Sequence, residues 1–193
     1  MPQGKLFILS GQSGVGKNTI LKEVIKNHTD FHRAVTCTTR GCREGEIDGK
    51  DHFFINEDEF DKKIKDGYFL ECAKVHHWHY GTPLKQVTDA LESGQNVFME
   101  IDVQGVAQIK EKMPETISIF IKFEDGKVEE LIRKRILNDP SRKNVTEDEI
   151  LKRIESARKE EKYIKDYDFT VTNPEGHPEQ AIAEIAKIIA RYI

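Results

Sequence analysis

The chain has 193 residues, long enough for one buried core with a small insertion or lid. Its residues are 37% hydrophobic and 33% charged, and no apolar run approaches the ~18 residues needed to span a bilayer, so a membrane-spanning segment is not expected. A net charge of -4 gives no global attraction to nucleic acid or to an anionic membrane, so an anionic ligand must be met by locally placed cations.

The opening residues, Met1 to Lys5, lack the basic stretch, long apolar region and small-residue cleavage site of a secretory signal, and the expected location is the cytoplasm. Leu6-Phe7-Ile8-Leu9 predicts a strand buried on both faces. A glycine-rich turn follows, and then Ile20, Leu21, Val24 and Ile25 give helical spacing over Thr19 to Asn27. Arg33 to about Pro83 is polar and turn-rich, with β-prone pieces such as His52-Phe53-Phe54-Ile55, a helix over Glu57 to Lys65 and a stop at Gly67. This reads as an inserted, partly β subdomain. Buried-strand runs recur at Asn96 to Asp102 and at Ile117 to Ile121, each beside a helical pattern. Val128 to Leu137 and Glu147 to Tyr163 predict two charge-dense helices, joined through Asn138 to Asn144. A strand at Phe169 to Thr172 and an amphipathic helix from Pro178 to Arg191 complete the series. Strands alternating with helices imply an α/β fold on a parallel sheet. Cys37, Cys42 and Cys72 are odd in number and widely spread, which suits reduced thiols rather than a disulfide framework.

Gly11-Gln12-Ser13-Gly14-Val15-Gly16-Lys17-Asn18-Thr19 has the spacing of a phosphate-binding loop between a strand and a helix. Glycines let backbone N–H groups turn inward, the helix N-terminus adds partial positive charge, and Lys17 supplies a mobile cation to the outer phosphates. The residue after the lysine is ordinarily Ser or Thr, whose hydroxyl ligates magnesium; here it is Asn18, whose amide oxygen is also a hard ligand. Thr19 lies ~100° further round the helix and cannot simply take over.

The acceptor side is read from Thr36-Cys37-Thr38-Thr39-Arg40, Arg43-Glu44-Gly45-Glu46, Gly49-Lys50-Asp51-His52-Phe53, Glu71, Tyr80-Gly81-Thr82 and Glu100-Ile101-Asp102-Val103-Gln104-Gly105. In this order the chain resembles the guanylate kinases over nearly its whole length. The resemblance implies a P-loop NTPase-type parallel sheet flanked by helices, with a core of residues 1–33, 84–125 and 166–193. It also implies an inserted mixed α/β GMP-binding subdomain at 34–83 and a helical lid at 126–165. The activity it implies is transfer of the ATP γ-phosphoryl group to GMP, with dGMP as a second acceptor, Mg2+ accompanying ATP, and no nucleic acid or membrane partner. Arg40, Arg43, His52 and Tyr80 are then expected on the GMP phosphate, and Thr36, Glu71, Thr82 and Asp102 at the guanine.

Elementary chemistry agrees with these assignments. Two arginines three apart in a turn can present forked donors to one phosphate, and a carboxylate can accept from the N–H edge of guanine, where adenine offers a different pattern. His52 stands where the family usually has tyrosine, so GMP binding is expected to vary between about pH 6 and 8.

Phosphoryl transfer requires alignment, a metal ion and cations on the migrating group, with water excluded. Lys17, Arg142 and Arg153 are expected around that group, with Arg40 bridging from the acceptor side. Arg135 is an alternative to Arg142 as the lid arginine, Arg133 is a third candidate, and Asn173 resembles the family's adenine-side contact. Cys72, His76, His77 and His79 cluster without the paired spacing of a zinc site. Two further readings use the same loop: a small-molecule kinase acting on another phosphorylated acceptor, and a catalytically weak guanylate kinase-like binding module.

Overall fold

A computed structural model of the chain describes residues 3–28, 30–75, 77–138 and 145–193. Two compact units emerge: Met1–Ile8 with Thr29–Ile117, and Leu9–His28 with Ser118–Ile193. Strand β1 (Leu6–Gly11) begins in the first unit and ends in the second, and all six of its residues are buried.

In the first unit, β2 (His32–Arg33) runs parallel to β7 (Val97–Glu100), with His32 opposite Val97. The strand order there is β2-β7-β1. Phe7, Phe31 and Phe98 pack ring against ring at centroid distances of 5.5–6.1 Å. The sequence run from Asn96 to Asp102 yields only a four-residue strand, because Asp102 leaves the ladder to cap the next helix: its side chain accepts from Gln104 N–H.

A second sheet of the same unit is mixed, in the order β4-β3-β6-β5, from β3 (Cys37–Thr38), β4 (Phe53–Phe54), β5 (Phe69–Val75) and β6 (Trp78–Pro83). Helix α2 (Glu57–Lys65) starts on Asn56, which accepts from Glu59 N–H, and stops before Gly67, whose φ of 65° ends it. Phe60 of α2 stacks on Phe69 and packs with Cys37 and Cys72 on one face of this sheet. A register shift between Phe69 and Glu71 turns Phe69 toward that face while Glu71 pairs with Thr82.

Helices α3 (Leu84–Glu92) and α4 (Val103–Lys112) complete the unit. Residues of α4 four apart treat the open edge of β5 as a partner strand would. Gln104 Nε2 donates to Lys74 O, Lys112 Nζ donates to Leu70 O, and Gln108 both donates to Cys72 O and accepts from Cys72 N–H. The match is metric, since four helical residues rise about 6 Å and two strand residues ~6.7 Å.

In the second unit the strand order is β1-β8-β9, with β8 (Ile117–Lys122) parallel to β9 (Phe169–Thr172). Gly11, at φ 146°, ends β1 so close to β8 that a Cβ there would lie 2.1 Å from Ile121 O. Helix α1 (Lys17–Asn27) opens two residues before its apolar periodicity, because left-handed Gly16 (φ 95°) serves as its N-cap. Helix α5 (Val128–Leu137) and α7 (Pro178–Ile189) match the sequence pattern closely, α7 with Pro178 in its first turn. Helix α6 (Glu147–Glu160) starts in a capping box between Thr146 and Glu149 and passes into a 3₁₀ turn over Glu161–Asp166 rather than staying α-helical to Tyr163.

The architecture is α/β: parallel strands interleaved with helices, plus a separate mixed sheet. Gln108→Leu keeps the side-chain volume but strips both backbone groups of Cys72 of their partner. It is expected to lower unfolding stability by about 1–2 kcal/mol, measured as a reduced urea midpoint at unchanged slope.

Candidate active site

In the second unit, Gly11 to Lys17 form a loop that leaves β1 and enters α1, with Gly11, Gly14 and Gly16 all at positive φ. Gln12 is 1% exposed and pins the loop from inside: its Oε1 accepts from Phe123 N–H at 2.7 Å and its Nε2 donates to Ala157 O at 3.3 Å. Val15 N–H donates to Gln12 O, and Lys17 Nζ donates to Gly11 O at 2.7 Å and Gln12 O at 3.1 Å. The lysine ammonium is therefore held on the loop it belongs to, at the start of α1. Ser13 N–H donates to the Glu160 carboxylate at 2.5 Å.

Asn173, just past β9, is 4% exposed; its Nδ2 donates to Val15 O at 2.7 Å, while its Oδ1 is buried with no hydrogen-bond partner. It braces the loop and keeps one acceptor in reserve. Arg135 on α5 also reaches the loop, donating to Gly14 O at 3.1 Å, while Glu175 holds its Nε and Nη2 and its guanidinium lies over the Phe123 ring. Arg133, by contrast, is engaged by Glu129 and Glu147 in an ion-paired link between α5 and α6. Arg153 sits half-buried on α6, and Arg142 lies outside the described residues.

Asn18 and Thr19 are exposed on the first turn of α1, with Val15 and Ile20 buried on either side of them in sequence. Among the described residues no group of three or more His, Cys, Asp or Glu is placed to hold a metal ion. Cys72, His77 and His79 do not form such a group, and His76 lies outside the described residues. The exposed amide oxygen of Asn18 is a hard donor of the kind that suits a cation keeping most of its ligands as water and substrate phosphate.

In the first unit, Arg40 is 7% exposed and almost fully engaged. Its two terminal nitrogens make a bidentate pair with Glu46 at 2.7 and 2.9 Å, Nη1 also donates to Gly41 O, and Nε donates to Tyr80 Oη at 3.2 Å. Arg40 holds the Glu46 carboxyl down to about 2. Glu46 also accepts from Arg43 N–H across a turn in which Gly45 has φ 84°, and the Arg43 residue itself is exposed. His52 packs edge-on to Tyr80, and its Nδ1 lies 2.7 Å from the Thr36 hydroxyl. Burial first, and Arg40 second, push the His52 imidazole below its usual value. The titration anticipated near neutral pH is therefore pushed lower.

Glu71 is 4% exposed and accepts from Thr82 Oγ1 at 2.7 Å. Gly105 of α4 faces it so closely that a Cβ there would lie 2.4 Å from Glu71 Oε2. Burial raises the Glu71 carboxyl to about 7, overcoming the lowering effect of its Thr82 hydrogen bonds. Asp102 is half-buried at the start of α4. Thr36, Arg40, His52 and Tyr80 are thus one linked group, Glu71 and Thr82 another, both on the mixed sheet or its connections. Reading the sequence did not identify Glu46 as the partner of Arg40, nor Glu160 and Glu175 as partners of Ser13 and Arg135. The Arg43-Glu44-Gly45-Glu46 turn was the available signal for the first; the other two are separated from their partners by 147 and 40 residues.

A family model described as guanylate kinase matches residues 3–192. The guanylate kinases of Clostridium tetani and Caldanaerobacter subterraneus are 42% and 43% identical to the chain, over 98% and 97% of it and 87% of each relative. The crystal structure of guanylate kinase from Anaplasma phagocytophilum matches with a TM-score of 0.79 at 25% identity, covering 99% of this chain and 87% of that one.

An acid whose value is higher in the folded state binds more protons folded than unfolded, so its contribution weakens the fold as pH rises from the usual carboxylate range through about 7. Glu71→Gln is accordingly expected to melt above the natural chain at pH 8, with the gap narrowing at pH 5. Equal gaps at both pH values would show that Glu71 titrates normally.

Proposed function

The chain belongs to the guanylate kinase family, and from that premise we propose that it transfers the γ-phosphoryl group of ATP to GMP, giving ADP and GDP. The observation that carries this is the presence in one chain of a glycine-turned phosphate loop ending on Lys17 and a buried Glu71–Thr82 pair beside the Arg40–Tyr80 group. A kinase for another phosphorylated acceptor gains nothing from a buried carboxylate suited to guanine, and a binding module has no need of an intact loop. Neither alternative is favoured beside relatives named guanylate kinase along nearly the whole chain.

In this reading the backbone N–H groups of Gly11 to Thr19 and the Lys17 ammonium hold the ATP phosphates. Asn173 lies toward the adenine, supported by its reserved Oδ1. Arg43, exposed, is the acceptor-side cation with most freedom to meet the GMP phosphate. Arg40 joins it once the phosphate competes with Glu46, with Tyr80 and His52 adding donors. Glu71, ionised, accepts from the guanine N–H edge, and Thr36, Thr82 and Asp102 complete the base pocket. Because a GMP phosphate oxygen is already an anion, no general base is required; the chain's task is to align, neutralise and keep water out. Arg153, with Arg135 or Arg142, supplies cations to the moving group. A divalent ion, which we take as Mg2+, would lower the charge of the phosphates when bound, and Asn18 is the residue that would hold it from the chain.

Residues 34–83 are assigned as the GMP-binding subdomain and 126–165 as the lid, with dGMP a second acceptor, the cytoplasm the location and purine nucleotide metabolism the setting. No helix among the described residues is long and apolar enough to cross a membrane.

A coupled assay with ATP-Mg and a panel of GMP, dGMP, AMP, CMP and UMP should give turnover with the two guanine nucleotides alone; turnover of AMP at a comparable kcat/KM would overturn the acceptor assignment. Arg153→Ala is expected to lower kcat by about 10²-fold, as removal of a preorganised electrostatic contact does. A near-normal kcat would move that role to another arginine.

A further inference from the structure

One peptide group of the phosphate loop, the C=O of Gln12 with the N–H of Ser13, carries an unusual share of the loop's bonds. Its oxygen accepts from Val15 N–H and from the Lys17 ammonium. Its N–H donates at 2.5 Å to one carboxylate oxygen of Glu160, the last residue of α6 and 147 positions away in sequence. The orientation of this peptide plane therefore helps set where the lysine rests, together with Gly11 O at 2.7 Å, and Glu160 is the group that holds the plane from the other side. An ionised acceptor makes this bond roughly twice as strong as a neutral pair.

The same end of α6 touches the loop a second time, where Gln12 Nε2 donates to Ala157 O. Residues 157 and 160 are one helical turn apart, so two consecutive loop residues are bound to one turn of α6. Arg153, Ala157 and Glu160 stand at i, i+4 and i+7 and share a helix face, Arg153 lying ~10 Å along the axis from Glu160. Ile154 and Ala157 are buried, which stops the helix from rolling. Glu161 cannot replace Glu160, because it lies ~100° round the helix. Negative charge beside a loop built for anions opposes ATP unless it serves some purpose, and here that purpose is geometric.

We infer that Glu160 is a positioning residue: its carboxylate fixes the Gln12–Ser13 peptide, and through it the Lys17 ammonium and the loop, in register with the helix that bears Arg153. The inference rests on the reading that this loop binds ATP. Glu160 does not touch the reacting atoms. Losing it lets the peptide turn, and the loop then presents its N–H groups and lysine imperfectly to the phosphates.

The test compares Glu160→Ala, Glu160→Gln and Glu160→Asp with the natural chain by steady-state kinetics, by calorimetric binding of ATP in the absence of GMP, and by thermal melts. Glu160→Ala is expected to lower kcat/KM for ATP by about 10²-fold, the scale of loss for a small misplacement of catalytic groups, with weaker ATP binding and a KM for GMP within about twofold of natural. Glu160→Gln keeps an acceptor oxygen at the same reach and should recover most of the loss. Glu160→Asp, one methylene shorter, should not. Should the alanine chain fail to fold, the contrast between Gln and Asp decides the matter. The inference is overturned if the alanine chain matches the natural one in ATP affinity and kcat, or if it binds ATP more tightly, which would make Glu160 a competitor of phosphate. A chain that turns over no GMP but whose ATP affinity depends on Glu160 would fail the kinase reading and keep this one.

Discussion

The approach of Gly11 to Ile121, with no room for a Cβ between them, sets the geometry on which the phosphate loop depends. Because β1 ends against β8 at that point, Gln12 N–H can bond to Ile121 O and its buried side chain can bond to Phe123 N–H. Those bonds anchor the loop at its root, and Gly14 and Gly16 then supply the left-handed turns that carry it into α1. Each later feature is built on this root: Lys17 held on two loop carbonyls, Asn173 under Val15, Arg135 on Gly14 O. Such a loop binds by its backbone, so side chains nearby are free to brace it rather than to contact ligand.

The mixed sheet follows a different physical logic. Its candidate site is made of buried and half-buried polar groups that satisfy one another before any ligand arrives: Arg40 with Glu46, Thr36 with His52, Thr82 with Glu71. Low dielectric makes such pairs firm and makes a misfit costly. Glu71 shows the tension most clearly. Its burial works against ionisation, so the free fold holds a carboxyl that a hydrogen-bonding base edge would help to ionise.

Much of this was legible in the sequence, and the limits have physical causes. The bounds of α2, α5 and β9 follow from periodicity and punctuation, such as Gly67 after α2. The loop was readable because its chemistry requires glycines at fixed spacing. Helix α1 begins at Lys17 rather than Thr19 because capping by Gly16, not apolar periodicity, sets its start. The 3₁₀ turn after Glu160 was missed because charge patterning does not distinguish it from a helix. Glu160 and Glu175 stayed hidden for another reason: each meets its partner through tertiary packing, and an isolated glutamate in a charge-rich segment looks like solvated surface. The direction in which His52 shifts depends on burial, which only the fold reveals.

The row of Gln104, Gln108 and Lys112 along β5 has a bearing on how the protein behaves in a crowded solution. An outermost strand with free N–H and C=O groups is a template on which another chain can add a strand of its own, and growth of that kind ends in insoluble assemblies. Here α4 occupies the positions an incoming strand would take at Leu70, Cys72 and Lys74, and it does so with side chains that offer no fresh edge beyond themselves. The helix that begins on Asp102 and lies against Glu71 therefore also covers the sheet's edge, so substitutions on its β5-facing row bear on self-association.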